Sequence, residues 1–178
     1  MHRQNIAEPG HAHELTFSCY RGYPFLSSDR TCEWLANAIE DAREKHAFDV
    51  WAYVFMPDHV HLIIRPRNLS YSVAAIRQAI KRPVGVLGIE HIVTHAPEWV
   101  PRITRTRGSR IERLFWQSGG GYDRNITKSN TLLNMIEYIH LNPVRKNLVS
   151  TAVEWKWSSA SWYILGVPGP ISVDSIPP

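Results

Sequence analysis

The stretch VWAYVFMPDHVHLIIRP, residues Val50–Pro66, decides the predicted fold because it is too apolar and too rich in β-forming residues for a loop. Pro57 and Asp58, near its middle, are residue types that favour turns. The stretch is therefore predicted to fold back on itself as a hairpin, with strands at Val50–Met56 and His59–Arg65.

A strand and a helix are predicted before this hairpin. The segment ELTFSCYRGYPF, which starts at Glu14, alternates and is rich in β formers, so we expect a strand that ends near Pro24. In the following segment, SSDRTCEWLANAIEDAREKHAFD, apolar residues recur at helical spacing. Ser27, Ser28 or Asp29 can cap this helix.

Two helices and a strand are predicted after the hairpin. The segment LSYSVAAIRQAIKRPVG should form a helix that stops before Pro83, because proline disfavours helical conformation in the residue before it. Residues 84–114 are predicted to be irregular. The segment LFWQSGGGYDRNI should be a strand broken at Gly119–Gly121. The last helix is predicted from its cap, Ser129 or Asn130, to about Asn142, before Pro143.

This order of elements predicts an α+β fold. Strand, helix, hairpin, helix, strand and helix follow one another, which favours an antiparallel sheet with helices on one face, in the ferredoxin-like split β-α-β pattern. The predicted organisation is a flexible arm at residues 1–12, one domain at 13–150, and a C-terminal tail at 151–178 that packs on the domain.

Composition restricts the class of protein. The chain has 178 residues, of which 44% are hydrophobic, and its 20 Lys and Arg outnumber its 16 Asp and Glu. Disorder throughout is therefore excluded, and a polyanionic partner is weakly favoured. Cys19 and Cys32 are expected to be reduced thiols. No signal peptide and no apolar run near the ~20 residues of a membrane span is found, so a soluble cytoplasmic protein is expected.

Two histidines inside the apolar run are candidate metal ligands. Because side chains alternate along a strand, His59 and His61 share one face with Ile63, roughly 6–7 Å apart. Two imidazoles at this distance can point at one metal ion. The alternative is a pair of half-exposed strand histidines without a ligand, so a metal site requires further ligands from elsewhere in the chain.

The best source of such ligands is the segment EYIHLNPVRKNLV. Tyr138 and Asn142 lie four residues apart and therefore on one face of the last helical turn. Asn142 can complete a divalent site begun by the histidines, and Tyr138 can attack what the metal polarises. The alternative is that Tyr138 packs on the helix surface and Asn142 only ends the helix before Pro143.

Four short motifs together resemble one protein family. The motifs are VFMPDHVHLII, YIHLNPVR some eighty residues later, FWQSGGGYDRNI and WKWSSASWY. In this order they resemble the REP-associated tyrosine transposases, within the single-tyrosine HUH transposases, over residues 13–163. Two features depart from the family pattern: Gly119–Gly121 is a looser link between Gln117 and Tyr122, and the arginine-rich insert at 100–113 has no clear counterpart.

The resemblance implies an enzyme that cuts and rejoins single-stranded DNA, often beside a hairpin. It implies that His59, His61 and Asn142 hold Mg²⁺ or Mn²⁺, and that the oxygen of Tyr138 attacks phosphorus and stays bonded to the 5′ phosphate. It also implies work on nucleoid DNA in the bacterial cytoplasm. A monomer and a homodimer both remain open.

Basic and aromatic side chains are candidate DNA contacts. Cations near a site that handles phosphate supply affinity that does not depend on sequence, and aromatic rings can stack on unpaired bases. Tyr71 and Trp99 are further stacking candidates, whereas Trp51, Trp155 and Trp157 are assigned to packing. The predicted DNA-binding residues are Arg65, Arg67, Arg77, Lys81, Arg82, Arg105, Arg107, Arg110, Trp116, Arg145 and Lys146.

Two other functions were weighed. A catalytically silent protein that binds DNA or RNA hairpins could share the fold, but it has no need of His59, His61, Tyr138 and Asn142 together. A two-histidine phosphoesterase uses two separated His-x-Ser/Thr motifs, and the sequence contains no such pair.

Overall fold

The computed structural model describes residues 11–119 and 121–177. Four antiparallel strands form its main sheet in the spatial order β2-β3-β1-β6, and two more form a separate ribbon. The α+β class with an antiparallel sheet is confirmed, in the ferredoxin-like order. The strands are β1 (Ala12–Ser18), β2 (Phe48–Phe55), β3 (His59–Pro66), β4 (Thr104–Arg107), β5 (Arg110–Arg113) and β6 (Tyr122–Ile126).

The hairpin β2–β3 confirms the sequence prediction, with strand ends shifted by one or two residues. The backbone N–H of Met56 donates to the carbonyl of His59 at 2.8 Å and closes the turn over Pro57 and Asp58. β1 lies between β3 and β6, and Thr16 is directly opposite His61 in its register. Residues 1–10 of the predicted arm at 1–12 lie outside the described residues.

Six helices accompany the sheet within the described residues. In α1 the Ser28 side chain accepts from the Thr31 N–H at 3.3 Å, so this predicted cap is confirmed. Short 3-10 turns occupy Tyr20–Gly22, Pro97–Trp99 and Ala152–Glu154. The helices are α1 (Asp29–His46), α2 (Val73–His95), α3 (Val100–Ile103), α4 (Ser129–His140), α5 (Asn142–Arg145) and α6 (Ala160–Leu165).

The helices cover both faces of the sheet, so the prediction of helices on one face is wrong in this respect. α1 and α2 pack against the face that carries Leu15, Phe17 and Leu62. α4 packs against the opposite face, where its apolar stripe meets Val54 and Ile63. The strands therefore bury apolar side chains on both faces, which explains why the central hairpin is almost continuously apolar.

α2 does not stop before Pro83 but continues to His95. The apolar stripe that this helix buries in the core continues on both sides of Pro83. Ile80 lies before the proline, Val84 and Ile92 lie after it, and all three are buried at spacings of four residues or multiples of four. Burial of this stripe outweighs the loss of one helical hydrogen bond and the strain at the residue before proline. The predicted helix end at this proline is therefore wrong.

Residues 84–114 are also more regular than predicted. After α2 come a 3-10 turn, α3 and a two-stranded ribbon, β4–β5, closed by a turn in which Gly108 has φ +60°. A left-handed φ favours glycine, which explains how Arg107 and Arg110 can pair across so tight a turn. The ribbon lies outside the main sheet.

Three predicted boundaries differ from the structure. β1 ends at Ser18 rather than near Pro24, because Arg21 and Gly22 take left-handed φ values in the turn that follows. Only Tyr122–Ile126 of the predicted last strand is a strand, and residues 116 and 117 merely touch the end of β1. The N-cap of α4 is Lys128, without a side-chain hydrogen bond, so neither Ser129 nor Asn130 caps it.

The segment WKWSSASWY covers the free edge of β2. The N–H of Phe55 donates to the carbonyl of Trp157 at 2.8 Å, and the N–H of Ser159 donates to the carbonyl of Tyr53 at 3.0 Å. The Trp155 indole donates to the Phe55 carbonyl at 2.9 Å. These bonds satisfy backbone groups that an edge strand leaves open. In the described part of the chain, no helix has the length and apolar character of a membrane span.

Candidate active site

His59 and His61 project from β3 on the face that α4 covers. Ile63, which alternation places on the same face, packs in the cluster with the α4 side chains. The two imidazole rings lie with their centroids 5.1 Å apart and nearly perpendicular. The predicted common face of the two histidines is therefore confirmed.

Both imidazoles are held through their Nδ1 atoms. His59 Nδ1 lies 2.7 Å from an Asp58 carboxylate oxygen, and His61 Nδ1 lies 3.0 Å from the Thr16 hydroxyl and 3.4 Å from a Glu14 oxygen. Neither Nε2 atom has a hydrogen-bond partner among the described residues. A carboxylate or hydroxyl on one ring nitrogen, with the other free, is the usual arrangement of a metal-binding histidine.

Burial favours the neutral form of His59. Burial lowers the pKa of His59 below 6.5, and the charges of His61 and Lys146 act in the same direction, while Asp58 opposes them. Metal binding requires the neutral imidazole.

Tyr138 and Asn142 lie on one almost continuous helical path. α4 ends at His140, α5 begins at Asn142, and Leu141 between them keeps helical dihedral angles, so residues four apart still share a face. Pro143 does not end this path, because it occupies the first turn of α5, where a proline is tolerated. Tyr138 is 52% exposed, whereas Asn142 is buried.

Two basic residues surround the tyrosine. The Arg145 guanidinium lies 4.6 Å from the centre of the Tyr138 ring and donates to the Tyr138 carbonyl at 3.1 Å. Lys146 follows directly and acts electrostatically on His59. Arg145, a predicted DNA contact, thus lies beside the Tyr138 ring, where it could pair with a phosphate.

The two histidines need a further ligand to hold a divalent ion. Among residues 11–119 and 121–177, no group of three or more His, Cys, Asp or Glu side chains could hold a metal. The Asn142 Nδ2 atom, however, is buried without a hydrogen-bond partner. Because amide nitrogen and oxygen exchange places on a flip, the same position offers an oxygen ligand. Two imidazoles and an amide oxygen suit Mg²⁺ or Mn²⁺ when phosphate and water complete the shell.

The sequence analysis missed two residues of this site. Glu14 is a buried carboxylate, and both it and Thr16 lie on the histidine face of β1. The alternation of side chains along β1 places Glu14 and Thr16 on one face of the strand. It does not tell which strand pairs with β1, so the sequence alone could not place them beside His61. His140 lies elsewhere: it bonds Ser159 at 2.7 Å, and burial lowers its pKa to about 4.

The other predicted DNA contacts fall into separate groups. Arg107 and Arg110 extend from the ribbon, and Arg105 there bonds Glu112 at 2.7 Å. Arg65 shares the histidine face at the far end of β3, and Arg67 is engaged by Asp49 at 2.8 Å. Arg77, Lys81 and Arg82 line a cleft beside α2.

The aromatic candidates are less available than the sequence suggested. Trp116 is only 7% exposed, and its indole donates to the Lys81 carbonyl at 2.9 Å, so its ring face is not free for stacking. Tyr71 bonds His13 at 2.8 Å, and Trp99 packs against Tyr23 and Phe25. Trp116 was predicted to contact DNA by stacking, and its burial in the core contradicts that mode of contact.

Known proteins resemble the chain in sequence and in fold. No protein-family model matches it. A Haemophilus influenzae protein described as "Putative REP-associated tyrosine transposase" is 23% identical over 148 residues, which are 77% of each chain. A solved REP-associated tyrosine transposase bound to a REP hairpin is 18% identical and superimposes with a TM-score of 0.68, over 100% of this chain and 93% of that one. The chain is therefore similar in sequence to a protein described as a REP-associated tyrosine transposase, and it shares the fold of the solved one, in line with the resemblance of its motifs.

Proposed function

We propose that this protein is a transposase that cuts and rejoins single-stranded DNA beside hairpins through a phosphotyrosine intermediate at Tyr138. The observation that supports this best is the state of the two imidazoles. His59 and His61 share one face, each is held through Nδ1, and each keeps Nε2 free. A protein that only binds hairpins gains nothing from this arrangement.

His59, His61 and Asn142 would hold Mg²⁺ or Mn²⁺ in this proposal. When bound, the ion neutralises charge on the phosphoryl oxygens as the reaction proceeds. The chain itself supplies the orientation: Asp58 fixes His59, while Thr16 and Glu14 fix His61. Because a carboxylate can only accept, Asp58 and Glu14 favour the tautomer that carries its proton on Nδ1 and leaves the Nε2 lone pair for a ligand.

Tyr138 is proposed as the nucleophile. Its phenol oxygen forms a bond to phosphorus as the bond from phosphorus to the 3′ oxygen breaks, leaving the 5′ phosphate on the tyrosine. The phenol loses one proton and the 3′ oxygen gains one, so the transfer needs no co-reactant. Reversal of the same step with a new 3′ end rejoins DNA. Arg145, next to the ring, would pair with the phosphate before attack.

The proposed substrate is single-stranded or hairpin DNA, in keeping with the solved relative, which is bound to a REP hairpin. The arginines of the β4–β5 ribbon, the cations of the cleft beside α2 and the Arg145–Lys146 pair offer contacts to several phosphates at once. The proposed place of action is nucleoid DNA in the bacterial cytoplasm. A monomer and a homodimer are equally compatible with this proposal.

The test is a search for the covalent product. Labelled hairpin oligonucleotides that carry single-stranded flanks are incubated with protein and Mn²⁺, and the products are separated on a denaturing gel. A protease-sensitive adduct, mapped by mass spectrometry to the peptide that contains Tyr138, is the expected result. A gel shift under native conditions with no adduct at any metal concentration would favour the silent hairpin-binding protein instead.

A further inference from the structure

A cleft separates α2 from the segment 113–119 on the side of the molecule away from α4. Its volume is about 470 Å³, which lies within the range of small-molecule sites. Its apolar surface comes from Val86, Ile89 and the Phe115–Trp116 pair. We call this space the α2 cleft.

Four cations also line the α2 cleft: Arg77, Lys81, Arg82 and Arg113. None of them forms an ion pair with a carboxylate among the residues that the structure describes. Lys81 is the most enclosed, and its ammonium donates to the Gln117 carbonyl at 3.3 Å. Burial, with the charge of Arg77 as a second cause, lowers the pKa of Lys81.

Uncompensated positive charge in a concave site favours a bound anion. Like charges close together and partly removed from water repel one another, and an anion between them relieves this repulsion. Phosphate alone would leave the apolar floor of the cleft exposed. An unpaired nucleotide carries a phosphate, which can pair with the cations, and a flat base, which can cover the apolar floor. Duplex DNA does not, because its base faces are stacked inside the helix.

The α2 cleft lies beside the end of β1. Lys81, which lines the cleft, also lines a second, smaller cavity of about 180 Å³ that reaches Thr16, Ser18 and Tyr122. The cleft and the histidines lie on opposite faces of the sheet, so a strand cut at Tyr138 would pass around the end of β1 to reach the cleft.

We infer that the α2 cleft binds one or two unpaired nucleotides of the DNA strand that is cut at Tyr138, with bases on its apolar floor and phosphates on its four cations. This inference rests on the proposed function, since it assigns a place to the single-stranded flank of that substrate. Because Trp116 is buried, the bases pack on the edge of its ring and on the aliphatic side chains rather than stack on its face.

Gly85 offers a way to block the cleft without harming the fold. A Cβ placed there would meet Trp116 at 3.4 Å, an ordinary contact, on the wall of the cleft. Gly85→Leu therefore fills the space, and leucine is a better helix former than glycine. The matched control is Val93→Leu, an exposed position on α2 that does not line the cleft. Thermal melts followed by circular dichroism confirm that each variant is folded.

The experiment compares two labelled DNAs by fluorescence anisotropy: a blunt hairpin, and the same hairpin with a four-nucleotide single-stranded flank. Wild type and Val93→Leu should bind the flanked hairpin at least tenfold more tightly. Gly85→Leu should lose most of that preference and keep its affinity for the blunt hairpin. The double variant Arg77→Ala/Arg82→Ala should reduce the salt dependence of binding only for the flanked hairpin, by about 0.7 log–log units per lost contact to a phosphate of the single strand.

The outcomes separate this inference from the proposed function. If Gly85→Leu binds the flanked hairpin as wild type does, the α2 cleft does not hold the flank, even where the Tyr138 adduct still forms. If the flank preference depends on Gly85 and the Arg77–Arg82 pair but no adduct forms, the cleft assignment stands and the proposed chemistry fails.

Discussion

The hydroxyl of Thr16 on β1 lies 3.0 Å from Nδ1 of His61 on the neighbouring strand. Through this hydrogen bond, the orientation of the His61 imidazole, a proposed metal ligand, depends on the register of β1 against β3. Because Thr16 and His61 are directly opposed in the ladder, any slip of β1 against β3 would also misplace the imidazole.

Thr16→Val tests this relationship, because it removes the hydroxyl and nearly keeps the shape. We expect affinity for Mn²⁺ to fall about 10- to 100-fold, since the ring loses a partner that fixes its tautomer. Isothermal titration calorimetry on the folded variant measures this. Thr106→Val, the same change on the exposed ribbon, is the control and should leave Mn²⁺ affinity as in wild type. Equal affinities for Thr16→Val and wild type would mean that Thr16 does not orient the ligand.

The ribbon should contribute to DNA affinity through its arginines. Replacing Arg105, Arg107 and Arg110 together by alanine should weaken hairpin binding and flatten its salt dependence, by about 0.9 log–log units per lost phosphate contact. Folding should be unaffected, because the ribbon lies outside the main sheet. The measurement is anisotropy across a salt series. An unchanged salt slope would place the DNA elsewhere.

Within the ribbon, Glu112 should act in the opposite direction. It engages Arg105 at 2.7 Å and approaches Arg110 at 3.5 Å, so it competes with phosphate for both. Glu112→Gln should therefore increase hairpin affinity and steepen the salt slope, as seen in the same anisotropy series. Arg105→Ala alone should matter less than Arg107→Ala, for the same reason. The reverse order would show that the Arg105–Glu112 pair opens when DNA binds.

Two glycines of α2 should respond oppositely to alanine. A Cβ at Gly88 would lie 2.3 Å from the Phe115 ring, whereas one at Gly85 would make an ordinary contact. Gly88→Ala should lower the free energy of unfolding by about 1–3 kcal/mol through overpacking. Gly85→Ala should raise it by up to about 1 kcal/mol through helix propensity. Urea unfolding measures both, and a stable Gly88→Ala protein would mean that Phe115 packs differently.

The two cysteines should be unreactive in the folded protein. Burial raises the pKa of both Cys19 and Cys32 to about 12, so almost no thiolate exists near neutral pH. The thiol pKa values are higher in the folded chain than in the unfolded chain. The stability that this difference contributes is therefore present below the ordinary thiol pKa and is lost as the pH rises above it. Titration with Ellman's reagent at pH 8 should detect both thiols only after unfolding. Rapid reaction of either thiol in native protein would contradict this account.

Local sequence signals predicted the hairpin, the first helix and the shared face of the histidines, because each depends on neighbouring residues. They did not predict the course of α2 through Pro83, because the compensating burial of Val84 and Ile92 comes from distant partners. The same holds for the site. Tyr138 and Asn142 were proposed from their spacing together with the family resemblance, whereas Glu14 was missed because its place beside His61 depends on which strand pairs with β1.

Trp116 shows the opposite error, because it was assigned to DNA on the ground that an aromatic ring can stack on unpaired bases. In the structure its ring is enclosed by Phe17 and Phe115 and bonded to the α2 backbone. Composition indicated the right region but not the orientation of the ring, since burial of a tryptophan depends on packing that sequence spacing does not reveal.

The most direct test of the central claim compares Tyr138→Phe with His59→Ala in the adduct assay across a Mn²⁺ titration. Tyr138→Phe should fold, bind metal and bind hairpin DNA, yet form no covalent adduct at any Mn²⁺ concentration, because a phenyl ring has no oxygen to offer phosphorus. His59→Ala removes one ligand, so high Mn²⁺ should restore part of its activity. A robust adduct from Tyr138→Phe would contradict the account and transfer the chemistry to another tyrosine, with Tyr122 the first to examine.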